Sequence, residues 1–172
     1  MAEFWSNNDR GYRLRLWVDQ LDIDPATNTS RARFRLALLN TGWTFTGYSC
    51  SAFIDFDGGR RLEWSGSPTM TSQNSVIMLI DETVAISRVS YDRGQFGVTA
   101  RFTGGGGYSP NTLDVGGNDF YLSNTRKASD FKVANAVFGK EATITIDRKD
   151  SLFKHTVRYQ ISDVSGLSLI HI

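Results

Sequence analysis

Between residues 11 and 20 the side chains alternate. Tyr12, Leu14, Leu16 and Val18 fall on one face of an extended chain, and Arg13, Arg15, Trp17 and Asp19 on the other. Period two is the mark of a strand that buries one side. Residues 25–30 (PATNTS) supply a turn. The pattern then resumes, with Ala32, Phe34, Leu36 and Leu38 inward and Arg31, Arg33 and Arg35 outward. Cys50, Ala52, Ile54 and Phe56 share the next face, and Asp57, Gly58 and Gly59 are a hairpin signal leading into residues 60–64. Residues 75–87 are apolar enough for one or two buried strands. Residues 91–94 turn the chain into a strand with Phe96, Val98, Ala100 and Phe102 on one face. Gly104 to Gly107 reads as a mobile loop, and residues 119–123 close the segment. Apolar spacing of three and four never persists over ten residues, so no helix is predicted. Short strands punctuated by Gly, Asn and Asp turns predict an all-β fold over residues 1–125. The expected form is an antiparallel β-sandwich of jelly-roll or immunoglobulin-like type.

Alternation returns near the end. Ala142, Ile144 and Ile146 share one face, as do Phe153, His155, Val157, Tyr159 and Ile161. Two or three strands cannot bury a stable core by themselves, so residues 126–166 read as a linker and the first part of a second, truncated β-sandwich. Composition places the boundary near residues 123–129. All five lysines lie from Lys127 onward and all four tryptophans within the first 64 residues. The net charge is −2 over residues 1–125 and +3 over the remainder. The final hexapeptide, residues 167–172 (LSLIHI), is β-prone, apolar and uncapped. Its codons can spell the transposon end used to build sequencing libraries, so it is expected to be a non-native, adapter-derived tail.

Composition narrows the function classes. A net charge of +1 over 172 residues supplies no field for nucleic acid. No apolar run approaches the ~20 residues of a membrane helix, so no membrane insertion is expected. The start of the chain is too polar for a signal peptide. Cys50 is the one cysteine, which excludes an intrachain disulfide and a thiolate metal cluster.

Candidate chemistry is sparse. Asp22 with Asp24, Asp55 with Asp57, and Glu63 are the carboxylates to consider for hydrolysis, but the first four sit where Asp favours turns. Asp55-Phe56-Asp57-Gly58 lacks the acidic end of a calcium loop. His155 lies on an apolar strand face and His171 in the terminal hexapeptide, so no metal site, catalytic residue or cofactor is expected. Gly104–Gly107 lacks the Lys-Ser/Thr ending of a phosphate loop. The outward arginines, with Trp17 among them, could suit nucleic acid. A salt-bridged sheet face balanced by Asp19, Asp22 and Glu63 accounts for them better. Trp43, Trp64 and Tyr108 flank turns, where a flat aromatic could support a sugar ring or plug the end of a sandwich.

A family likeness enters at the C-terminal segment. Gly139 and Lys140, the strand from Ala142 to Ile146, Arg148, Ser151, then Phe153, His155, Thr156 and Tyr159 resemble the repeated unit of a siphophage family catalogued as a domain of unknown function. Its members are large tail-associated proteins of phages of Gram-positive bacteria. Residues 1–20, 36–45, 48–56, 62–68 and 106–117 resemble that family's N-terminal domain. The linker lacks the family's proline, and Tyr91-Asp92-Arg93-Gly94 departs from its Asp-Gly turn. The resemblance implies a non-enzymatic structural or adhesion protein of the phage tail, made in the host bacterial cytoplasm and carried in the virion. The implied partners are other tail proteins or further copies of the chain, with host cell-wall polysaccharide as the ligand. The alternative is a carbohydrate-binding or accessory module of a cell-wall glycan hydrolase.

Overall fold

The alternating stretches become strands. A computed structural model describes residues 1–24, 29–42, 44, 46–87, 94–107, 109–122, 130–133 and 144–147. The chain runs β1 (Ala2–Trp5), β2 (Tyr12–Asp24), β3 (Thr29–Asn40), β4 (Cys50–Phe56), β5 (Arg60–Gly66), β6 (Val76–Ser87), β7 (Gln95–Gly104) and β8 (Thr112–Tyr121). Two short strands follow, β9 (Asp130–Val133) and β10 (Ile144–Asp147). Two four-stranded sheets form, in the orders β1-β2-β3-β6 and β5-β4-β7-β8. Every pairing is antiparallel. The fold is an all-β sandwich. The chain crosses between sheets three times: after β3, after β5 and after β6.

Alternation decides which face is buried. Leu14, Leu16 and Val18 of β2 and Ala32, Phe34, Leu36 and Leu38 of β3 are fully buried. They meet Ile54, Phe56, Phe96, Val98 and Phe102 of the second sheet in one core. Removing such a side chain from water is worth roughly 1.5–3 kcal/mol. Phe34 bridges the layers, its ring centroid 4.4 Å from that of Phe56 and 6.0 Å from that of Phe96. The stretch expected to hold one or two strands is a single twelve-residue strand, β6.

Bulges tune the sheets. The β2–β3 register shifts between Gln20 and Asp22, which leaves Leu21 unpaired and exposed. The β7–β8 register shifts between Val98 and Ala100, where Gly116 and Gly117 oppose Thr99. A bulge bends its strand and raises the local twist. One edge is covered by the β1–β2 connection. The Asn7 carboxamide oxygen accepts the Asp114 backbone N–H at 2.8 Å, and Asp9 Oδ2 accepts that of Asn111 at 3.0 Å. This shields β8, an edge that would otherwise offer free backbone groups.

The glycine tract differs from its expected looseness. Gly104 is buried and ends β7. Its N–H donates to the Asn111 carbonyl, and the Gly105 N–H to that of Ser49. Only Gly106 and Gly107, with φ of 75° and 76°, form the open turn. In the C-terminal part, β9 pairs antiparallel with β10, Phe131 opposite Ile146. The expected boundary at 123–129, His155, His171, the strand expected at 153–161 and the terminal hexapeptide lie outside the described residues.

Candidate functional site

Of the three turn aromatics, Trp43 and Tyr108 lie outside the described residues. Trp64 sits on β5, an edge strand, directly opposite Ala52. It is half-buried and packs against the core. Its ring lies along its own strand over Gly66, where a Cβ would come within 2.8 Å of Trp64 Cζ2. Trp64 therefore closes one side of the sandwich, and it also lines a surface hollow of about 350 Å³ with Ser51, Phe53, Arg61, Glu63 and Ser65.

The outer face of the first sheet carries the arginine rows. Arg13 and Arg15 lie over the Trp5 ring at 4.9 and 5.0 Å, and Arg15 and Arg35 over Trp17 at 4.4 and 5.3 Å. The result is a ladder of alternating guanidinium and indole, each contact worth roughly 0.5–1 kcal/mol at an exposed site. Glu3 pins its middle, accepting from Arg15 at 2.6 Å, Trp5 Nε1 at 2.7 Å and Trp17 Nε1 at 3.2 Å. Arg33 forms a two-pronged pair with Asp81, both bonds 2.6 Å, and Arg35 bonds Asp19 at 2.7 Å. Arg31 pairs with Asp22 at 3.1 Å. Asp19 and Asp22 thus balance the arginines as expected. Glu63 does not: it lies on the other sheet, 3.9 Å from Arg61.

The outer face of the second sheet is hollowed. Direct neighbours across it are Glu63, Phe53, Arg101 and Asp114 in one row, and Arg61, Asp55 and Thr99 in the next. Asp55 grips Arg61 with bonds of 2.5 and 2.7 Å, and Arg61 lies 3.9 Å over the Phe53 ring. Arg101 Nε donates to Asp114 at 2.5 Å. A hollow of about 370 Å³ lies over Phe53, Asp55, Thr99, Arg101, Asp114 and Gly116. A third, of about 270 Å³, lies over Asp55, Gly58, Gly97, Thr99, Gly117 and Asp119.

Hydrogen bonds from arginine set the carboxylates. Bonds from Arg61, Arg33 and Arg15 hold Asp55, Asp81 and Glu3 below their ordinary values of 3.8, 3.8 and 4.5. Such groups stay ionised, which suits holding a partner and not donating a proton. Burial raises the Tyr48 phenol and the Cys50 thiol, so Cys50 is a poor nucleophile. Among the described residues no group of three or more His, Cys, Asp and Glu is placed to hold a metal ion. Among the described residues no helix is long and apolar enough to cross a membrane.

The lowered carboxylates carry a pH prediction. A group with a depressed folded pKa stabilises the protein above its unfolded pKa, and that stability is lost as pH falls through the folded value. The melting temperature should therefore fall as pH drops below about 4.5. Asp81→Asn should flatten this acid limb while lowering the melting temperature at neutral pH by a small amount, because exposed pairs contribute little. An unchanged acid limb in the variant would show that the Arg33–Asp81 pair is not formed in solution.

No curated protein and no solved structure matches the chain. The sequence profile described as a siphovirus protein of unknown function (DUF859) matches residues 1–167. That match spans the sandwich, the β9–β10 segment and the likeness carried by Phe153, His155 and Thr156, and the chain belongs to this siphovirus family.

Proposed function

We propose that the chain is a non-enzymatic structural and adhesion component of the siphovirus tail, whose sandwich contacts saccharide of the host cell wall. The observation that carries this reading is the outer face of the second sheet. It offers an aromatic ring, ionised carboxylates, guanidinium groups and hydroxyls on strands of a rigid scaffold. Rigid strands hold a binding constellation with less entropy to lose than loops do. Asp55 and Asp114 are bonded to Arg61 and Arg101, and the Arg61 bond holds Asp55 below its ordinary value, the opposite of the raised pKa that a general acid for glycoside cleavage requires. The partners in this reading are other tail proteins or further copies of the chain. The segment from residue 126 onward begins a second β-domain that extends the assembly.

The test is sedimentation of the full chain with purified Gram-positive cell walls. Wild type is expected to co-sediment without releasing soluble sugar. Alanine at Trp43, Trp64 or Tyr108 is expected to weaken binding about threefold to tenfold, on the ~0.5–1.5 kcal/mol scale of an aromatic contact. Trp64→Ala should also lower the melting temperature, because this ring packs against the core. Absence of co-sedimentation by wild type, or release of reducing sugar, would refute the reading.

A further inference from the structure

We infer that the three hollows on the second sheet form one trough that binds a glycan strand rich in hydroxyl and acetamide groups and free of phosphate; this rests on the adhesion reading above. The hollows adjoin one another. The hollows of about 350 and 370 Å³ share Phe53, and those of about 370 and 270 Å³ share Asp55 and Thr99. Together they run obliquely from the β7–β8 side of the sheet to β5. That is about 14 Å across three strand spacings.

The floor is cleared by three glycines whose surroundings would admit a side chain. A Cβ added at Gly97, Gly116 or Gly117 would meet nothing within 4 Å. None of the three has a positive φ. Glycine weakens a strand interior, and in strands it marks bulges or places where another group approaches the backbone. The bulge opposite Thr99 accounts for the location of Gly116 and Gly117, but Gly97 pairs regularly with Asp119. What Gly97 leaves open is the trough itself.

The lining selects the ligand. Arg61 and Arg101 present N–H donors, Asp55, Glu63, Asp114 and Asp119 present acceptors, and Ser51, Ser65 and Thr99 present hydroxyls that do both. Sugar hydroxyls likewise donate and accept. The Asp55–Arg61 and Arg101–Asp114 pairs are fixed before a ligand arrives, so little ordering is left to binding. Phe53, half-buried beneath Arg61, supplies the apolar surface beside which a ring or an acetamide methyl can lie. Four carboxylates against two guanidinium groups make the trough net negative. Phosphate-bearing wall polymers are therefore repelled, and an uncharged glycan is not.

The deciding variant is Gly97→Val. It places a branched side chain in open space on a strand, where Val is favoured, so the fold should hold its melting temperature or gain slightly. Arg101→Ala removes a donor without touching the core. Full-length wild type and variants would be tested against three probes: sacculi stripped of all attached polymers, released phosphate-free wall polysaccharide, and isolated teichoic acid. Wild type is expected to bind one or both of the first two, which separates peptidoglycan from wall polysaccharide as the source, and not the third. Gly97→Val should lose about tenfold or more in affinity, the effect of excluding a sugar ring with its polar contacts. Arg101→Ala should lose less. Equal binding by wild type and Gly97→Val would overturn the trough while leaving the adhesion reading standing. Binding to teichoic acid alone would overturn the ligand class. No binding to any wall material would overturn both.

Discussion

Phe34→Ala should cost about 3–5 kcal/mol, the range for truncating a buried aromatic side chain. Phe34 is fully buried and stands between the sheets. It contributes the first sheet's ring to a chain of aromatics that continues from Phe56 and Phe96 to Phe120, the last pair of centroids 5.4 Å apart. Truncation removes both sets of ring contacts and leaves a void that two hydrogen-bonded sheets cannot close by moving together. Domains of ordinary stability hold only about 5–15 kcal/mol in total, so the variant should sit near the edge of folding at room temperature. Urea unfolding of wild type and variant measures this directly, as a lower midpoint with a similar slope. Phe34→Leu, which keeps part of the volume, should lose less. A loss below about 1 kcal/mol for Phe34→Ala would mean that the sheets do not meet at this ring.

Period two made most of this core legible. A residue on an alternating strand has two choices of face, and the apolar set of β2, β3, β4 and β7 leaves no ambiguity about which is inside. Two strands of the sandwich escaped for different reasons. β1 has four residues and only Ala2 and Phe4 to mark its inner face. The middle of β8 contains Gly116, Gly117 and Asn118, a composition that reads as a turn, yet it is a strand carrying a bulge. What alternation cannot express is which strand lies beside which. Glu63 looked available to the arginine rows because sequence gives no sheet assignment, and the crossover after β3 sends it to the opposite layer. The trough is hidden for the same reason. Phe53, Thr99, Arg101 and Asp114 are unremarkable outward positions until the β4–β7 and β7–β8 registers set them side by side. Trp64 was identifiable as a rim aromatic, whereas its dual position, against the core and beside a hollow, depends on Gly66 leaving room for its ring.

Gly104→Ala should be nearly as damaging as loss of a core ring, although it adds only a methyl group. Its Cβ would fall well inside contact distance of the Pro110 carbonyl oxygen, and 3.0 Å from Tyr48 Cε2. Neither neighbour can yield easily. The Pro110 carbonyl already accepts the Tyr48 hydroxyl at 3.0 Å, and the Gly104 N–H is bonded to Asn111 on the same turn. Relief therefore requires displacing the backbone that joins β7 to β8, together with the buried end of Tyr48. The cost should reach or exceed the ~1–3 kcal/mol typical of overpacking. Gly107→Ala is the internal comparison, three residues along the same tract. It has a φ of 76° and nothing within 4 Å of an added Cβ, so it meets only the left-handed backbone penalty of roughly 1–2 kcal/mol. Thermal melts of the two variants separate a packed strand end from an open turn. Gly104→Ala should melt well below Gly107→Ala, and equal melting temperatures would show that all four glycines form one loose loop.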